Sequence, residues 1–472
     1  MAKNYLIIVL AGLLGVGCHA VGPDYQAPTA AALGTPAEYQ HAAPAIPANA
    51  QTLPSPDKWW TVFNDAPLNT LEEAALAHNP TLAGAAAHVA QARAQLGLAE
   101  ADAQPSLTLS ANIQADGETA TQYVPFPFRQ KGQSYTVPLS ASYEIDLWGR
   151  VRRATESANA QLAASEADVH AVALTLTTSL AQSYYQLREL TAEIAIVRDT
   201  IKARSDTVDV QTERYNGGLI YQYDLVSARE ELATAQADLA DLLRQQEETV
   251  DALATLTGEA PANFIFTPPT DDAPLPPPPA IPAGLPGDLL KRRPDVVEAE
   301  RTLAADTASI GVAQAAKFPK VLLTGEAGFQ SVNLGSLFSG PSELWNIGPS
   351  ITLPLLDGGR NDANIAAARA VADGALADYQ QQVLTAFREV EDALVDINRQ
   401  AEQAAAVEQA ETASNDAMQL TQVRYNSGLV NYLQVVDTER DLLTSQRTRV
   451  QVAGARYLST LRLIQALGGG WN

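Results

Sequence analysis

The chain has 472 residues, 46% apolar and only 18% charged, yet its formal net charge is −23, which excludes nucleic acid as a partner because phosphate backbones are met by basic patches. A single cysteine excludes an intrachain disulfide and a cysteine-based zinc site. The length allows a large core or two to three domains, and few aromatics with abundant alanine favour helices that approach closely.

Met1-Ala2-Lys3-Asn4 carries one positive charge, and an apolar run from Tyr5 to Val16 follows. That run is too short for a bilayer, which takes about 20 residues; it has the form of a secretory signal. It ends Leu14-Gly15-Val16-Gly17-Cys18, which resembles a bacterial lipoprotein signal. The resemblance implies a signal peptide over residues 1–17 and a covalent lipid on Cys18, the first residue of the mature chain. His19, where aspartate often retains lipoproteins in the inner membrane, implies an outer-membrane anchor. Ordinary signal cleavage after Ala20 is the alternative. No later segment reads as a membrane-spanning helix. Residues 18–66, rich in proline and alanine towards their start, read as an extended arm packed along the body.

The first structural repeat covers 67–257 and opens on a helix. Two strands follow. In Ser106–Asp116, Leu107, Leu109, Ala111, Ile113 and Ala115 alternate with polar residues. In Ser134–Asp146, Tyr135, Val137, Leu139, Ala141, Tyr143 and Ile145 do the same. After Gly149 there is no proline until Pro261, and apolar residues recur from Val169 through Leu190 and Ile201 to Val208. Their step of about 3.5 residues is a coiled-coil seam. A helix from Gly149 to Arg214 would run about 100 Å at about 1.5 Å per residue. It turns at Asn216-Gly217-Gly218, where glycine supplies the positive φ of a helix end. A second helix returns from about Tyr223 to Thr257, with Leu225, Leu232, Leu239, Leu242, Val250 and Leu253 on one side.

The linker, 258–286, contains nine prolines between Pro268 and Pro286, so that stretch is neither helix nor central strand. The second repeat, 287–467, has strands over 320–331, with Val321, Leu323, Ala327 and Phe329 alternating, and over 345–355, with Trp345, Ile347, Ile351, Leu353 and Leu355. A second 3.5-residue stripe runs through Val383, Phe387, Val390, Leu394, Ile397, Ala401 and Ala404, and residues 468–472 form a tail. The spacings show a duplication. Pro80 and Pro294 each stand 25 residues before a second proline, Pro105 and Pro319. Gly149 and Gly359 each stand 65 residues before Arg214-Tyr215-Asn216-Gly217-Gly218-Leu219 and Arg424-Tyr425-Asn426-Ser427-Gly428-Leu429.

Each strand run is about 10 residues, the length of a transmembrane β-strand. Four strands cannot close a barrel, since the smallest has about 8, and an open edge is not tolerated in lipid. Membrane strands would therefore need several chains; three give twelve. The alternative is a soluble four-stranded sheet with its apolar face on a core. The function would then be that of a periplasmic coiled-coil scaffold lipoprotein with no pore.

Gly22-Pro23-Asp24-Tyr25, Tyr143-Glu144-Ile145-Asp146-Leu147-Trp148-Gly149-Arg150, the stretch from Gly284-Leu285-Pro286 through Leu289-Leu290-Lys291-Arg292-Arg293-Pro294-Asp295-Val296 to Ile310-Gly311 and Phe318-Pro319, and the two Arg-Tyr-Asn-x-Gly-Leu tips resemble the TolC-like outer-membrane efflux proteins, in the lipoprotein branch that includes OprM. The likeness covers the whole chain after the signal. It implies a mainly α fold with a β-barrel section. In a homotrimer, a 12-stranded outer-membrane barrel, four strands per chain, would continue into a long α-helical coiled-coil periplasmic tunnel. It also implies the function: the passive exit duct of a tripartite efflux system. A periplasmic adaptor protein and an inner-membrane pump of the resistance-nodulation-division type would hand over the substrate. The family closes this duct at its periplasmic tip. Carried over, the constriction falls on Leu433 and Asp437, with Gln434 where TolC has an acidic residue. Asp224 matches a position that pairs with the tyrosine equivalent to Tyr425, and Val430 stands at TolC's lock arginine. The tips, Arg214 to Leu219 and Arg424 to Leu429, would meet the adaptor.

No catalytic constellation is legible. The histidines His19, His41, His78, His88 and His170 have no metal-ligand spacing. There is no Gly-x-Ser-x-Gly elbow and no phosphate-binding loop. The sequence thus reads as a channel rather than an enzyme, without cofactor or metal, driven by a partner's energy.

Overall fold

The computed structural model describes residues 20–41, 56–117, 131–267, 275–284 and 286–469. Cys18, the signal segment 1–17 and the end of the tail, 470–472, lie outside the described residues, as do 268–274 and 285 of the linker. The chain divides into two compact units. One draws on the arm up to Pro28, His88–Glu166 and Glu298–Gln380, and holds all the strands. The other draws on Thr29–Ala87, Ala167–Val297 and Gln381–Asn472, and is helical.

Helices α1 (Ala66–His78) and α2 (Pro80–Ala101) precede strands β1 (Ser106–Leu109), β2 (Asn112–Gly117) and β3 (Lys131–Glu144). Helices α3 (Arg150–Asn216) and α4 (Gln222–Leu256) form a hairpin. The order then recurs in α5 (Pro286–Arg292), α6 (Pro294–Ala315), β4 (Lys320–Ser331), β5 (Glu343–Thr352), α7 (Arg360–Asn426) and α8 (Tyr432–Ala466). The long helices have 67 residues each and the returning ones 35 each. Both repeats start their second helix on a proline, whose fixed φ suits the first turn. Asn79 caps α2 by accepting from the Thr81 amide at 2.8 Å, while its own amide donates to the Leu256 carbonyl at 2.9 Å. At the matching joint Arg293 donates to the Ala466 carbonyl and pairs with Asp295 and Glu389.

In the helical unit, Leu190, Ile194, Val197 and Leu242 form one core cluster, flanked by Ile201, Leu239, Leu243 and Leu443. The seam of α4 runs through Leu225, Ala228, Glu231, Ala235, Leu242, Thr249 and Leu253. Leu232 and Val250 sit beside it, half-buried. On α7, Val383, Phe387, Val390 and Leu394 are buried, but Ala401 is exposed. Tyr185 stacks on Tyr457 at 4.2 Å, and Tyr184 donates to Asp65 at 2.8 Å.

In the sheet unit the strands are antiparallel in the order β1–β3–β4–β5, with β2 also on β3. The first predicted strand is interrupted at Ser110-Ala111. Its partner there is Pro138, which has no N–H for the ladder, so only the bond from the Ser110 amide to the Pro138 carbonyl remains, at 3.1 Å. Across β4, Pro138 faces Gly328, where a Cβ would stand 2.7 Å from its Cα. The last strand ends at Thr352, two residues before Pro354, so Leu353 and Leu355 lie outside it.

The root of the sheet explains two motifs. Trp148 stacks on Phe318 at 4.7 Å and donates to the Pro319 carbonyl at 2.9 Å. Arg150 grips Glu144 with two bonds of 2.8 Å, joined by Lys320. The arm crosses α6 where Gly22 meets Gly311, and it is fastened by Arg153 to Asp24 and by the Tyr25 hydroxyl to Glu300 at 2.9 Å.

Candidate membrane face and gate

Antiparallel partners share a face, so the register decides which residues lie together. Leu109 pairs with Leu139, Ile113 with Tyr135, Tyr143 with Leu323 and Val321 with Ile351. Ala327 pairs with both Leu139 and Trp345. All these side chains fall on one face, which is open: Ile113 is 76% exposed, Ile347 72% and Trp345 79%. The soluble alternative, an apolar face buried on a core, is not what forms. The opposite face carries Thr108, Gln114, Ser140, Ser142, Thr324, Glu326 and Asn346. Tyr135 and Tyr143 are eight residues apart on the apolar face of β3, about 26 Å at about 3.3 Å per residue, the height of the band between the aromatic girdles of a membrane barrel. Among the described residues β5 has one strand neighbour and β1 and β2 pair only with β3, so both edges are unpaired. No described helix is long and apolar enough to cross a membrane.

The two tips have one backbone. Leu219 donates to the Arg214 carbonyl and Leu429 to the Arg424 carbonyl, both at 2.9 Å. Gly218 and Gly428 take φ of +69° and +72°, which a side chain resists. The resemblance pairs Asp224 with Tyr425, but the Tyr425 hydroxyl instead accepts from Gln211 and Arg214, each at 3.0 Å. The Arg214 guanidinium carbon lies 5.4 Å from the ring centre. Among the described residues no hydrogen bond joins Asp224 to Tyr425; Asp224 is half-buried at the start of α4. On α8, Tyr432, Val435 and Val436 are buried with Ala228. Leu433, Gln434 and Asp437 lie on the exposed side of the same turns, and Asn431 caps the Gln434 amide at 3.2 Å. These three side chains are thus presented together, away from the chain's own core.

Above the tips lies a charged cluster absent from the sequence reading. Glu231 is buried and receives Arg204 at 2.9 Å and Arg440, whose Nε donates at 2.9 Å. Burial beside this pair pushes the Glu439 carboxyl above its ordinary range. Further along, Glu189 lies against Gly454, and burial near Glu193 raises its carboxyl to about 7. The signal was present: the seven-residue step of α3 runs Leu190, Ile194, Val197, Ile201, Arg204, Val208, Gln211, with two polar residues at seam positions, which specify partners and register.

Residues 71–259 and 285–469 each match the outer membrane efflux protein family, one match per repeat. Outer membrane protein OprJ of Pseudomonas aeruginosa is 32% identical over 97% of this chain and 94% of its own. The probable outer membrane lipoprotein SilC of Salmonella typhimurium is 29% identical with both chains fully covered. The solved outer-membrane channel OprN superposes with a TM-score of 0.86 at 32% identity, over 96% of this chain and 99% of that one. The chain belongs to the outer membrane efflux protein family and is a channel subunit of an efflux pump in the outer membrane.

Proposed function

We propose that three copies close a twelve-stranded barrel, each held by a lipid on Cys18, and that the helical tips form a gate to which a periplasmic adaptor docks. An inner-membrane pump, of the resistance-nodulation-division type, supplies the substrate and the energy. The observation that carries this reading is the sheet: one face predominantly apolar and open, with both edges unpaired among the described residues. Lipid tolerates no open edge, so other copies must supply the missing strands. A pore-free helical scaffold has no use for such a face. The name of SilC supports the lipid anchor.

At the tip, Leu433, Gln434 and Asp437 from three copies would ring the axis. Three carboxylates at a narrow axis attract cations. In planar bilayers the purified protein should favour cations and be blocked by multivalent cations, and Asp437→Ala should lose both properties. Anion selectivity unaffected by that substitution would overturn the gate assignment. A monomer in detergent would overturn the barrel.

A further inference from the structure

We propose that in the assembled channel Arg424 of one copy seats on Tyr215 of the next, repeating between subunits the contact that Arg214 and Tyr425 make within one. This rests on the trimeric reading above.

The argument comes from the duplication. The tips share Arg-Tyr-Asn at the same offsets and close with the same turn bonds, Gly218 to the Tyr215 carbonyl and Gly428 to the Tyr425 carbonyl, both at 2.9 Å. Arginine and tyrosine therefore stand on one scaffold, presented twice. Of the two cross-contacts this allows, the chain forms one, Arg214 on Tyr425. The other pair of side chains is idle within the subunit. Arg424 is exposed and makes no side-chain hydrogen bond or ion pair among the described residues, and the Tyr215 ring is 39% exposed. A ring of three copies alternates first and second tips. In such a ring each second tip has its own first tip on one side and a neighbour's on the other, so the tip tyrosine that would stand to Arg424 as Tyr425 stands to Arg214 is Tyr215 of the next copy.

The two contacts would not be equal. Within the chain Tyr425 has two donors, Gln211 and Arg214. The position matching Gln211 in the second repeat is Thr421, whose hydroxyl is too short to replace a carboxamide. The contact between copies therefore has one donor where the internal one has two, and the tip ring separates first between subunits.

The test uses full-length protein in detergent with a short bismaleimide. Arg214→Cys with Tyr425→Cys calibrates the internal contact and should link within one chain. Tyr215→Cys with Arg424→Cys should give covalent dimers and trimers on denaturing gels, which neither single variant gives. Only single chains from that pair, in protein that sediments as a trimer and links normally in the calibrating pair, would overturn the inference. Sedimentation as a monomer would overturn the trimeric reading itself.

Discussion

Arg440→Ala probes the cluster above the tips. Arg440 fastens α8 to Glu231 of α4, while Arg204 of α3 holds the same carboxylate from the other side. A hydrogen bond to a charged group contributes about 1.5–3 kcal/mol net. Arg440 is 53% exposed, so solvent reduces its share to about 1–2 kcal/mol. Glu231 keeps Arg204, so no buried charge is stranded and the subunit still folds. If α8 moves from α4 when the tip opens, the lost contact belongs to the closed state alone, and the open population should rise about 5- to 30-fold. Single-channel recording in planar bilayers reads that change as open probability. Glu231→Ala should act more strongly and also lower the melting temperature, because Arg204 is then buried without its partner, a loss of about 3–5 kcal/mol. An unchanged open probability in both variants, with only the melting temperature of Glu231→Ala reduced, would show that the cluster packs helices and does not hold the gate.

Three further outcomes follow from the geometry. Gly328→Val would set a side chain against Pro138 and should abolish the heat-resistant trimer band on mild denaturing gels, while the same change at Gly348, which has open space around it, should be far milder. Gly311→Ala would place a methyl 2.8 Å from the Arg153 side chain and the Val21 carbonyl; overpacking of this kind costs about 1–3 kcal/mol, and the arm should become sensitive to protease. Glu189 gives a pH dependence. Below about pH 4.5 the group is protonated whether folded or not; between there and its folded value of about 7 only the unfolded chain ionises; above that the folded state carries a desolvated charge. Stability should fall across this window by at most about 3 kcal/mol. Glu189→Gln should remove that fall in melting curves at pH 5 and 8, and an unchanged pH slope would contradict it.

The sequence alone determined the duplication, the two long helical hairpins and the two-faced strands, because each rests on local chemistry. A 3.5-residue stripe makes a seam, alternation makes a two-faced strand, and glycine after Arg-Tyr-Asn makes a turn. The family resemblance singled out Leu433, Gln434 and Asp437, and their offsets i, i+1 and i+4 put them on one side of a helix. Tertiary structure alone decided the partners across helices. Tyr425 meets Gln211 and Arg214 rather than Asp224, and Arg204 meets Glu231, because these pairs depend on how separate helices are rotated against one another. The break at Ser110 was equally out of reach. A proline interrupts a neighbouring strand only through pairing, and register joins residues far apart in the chain.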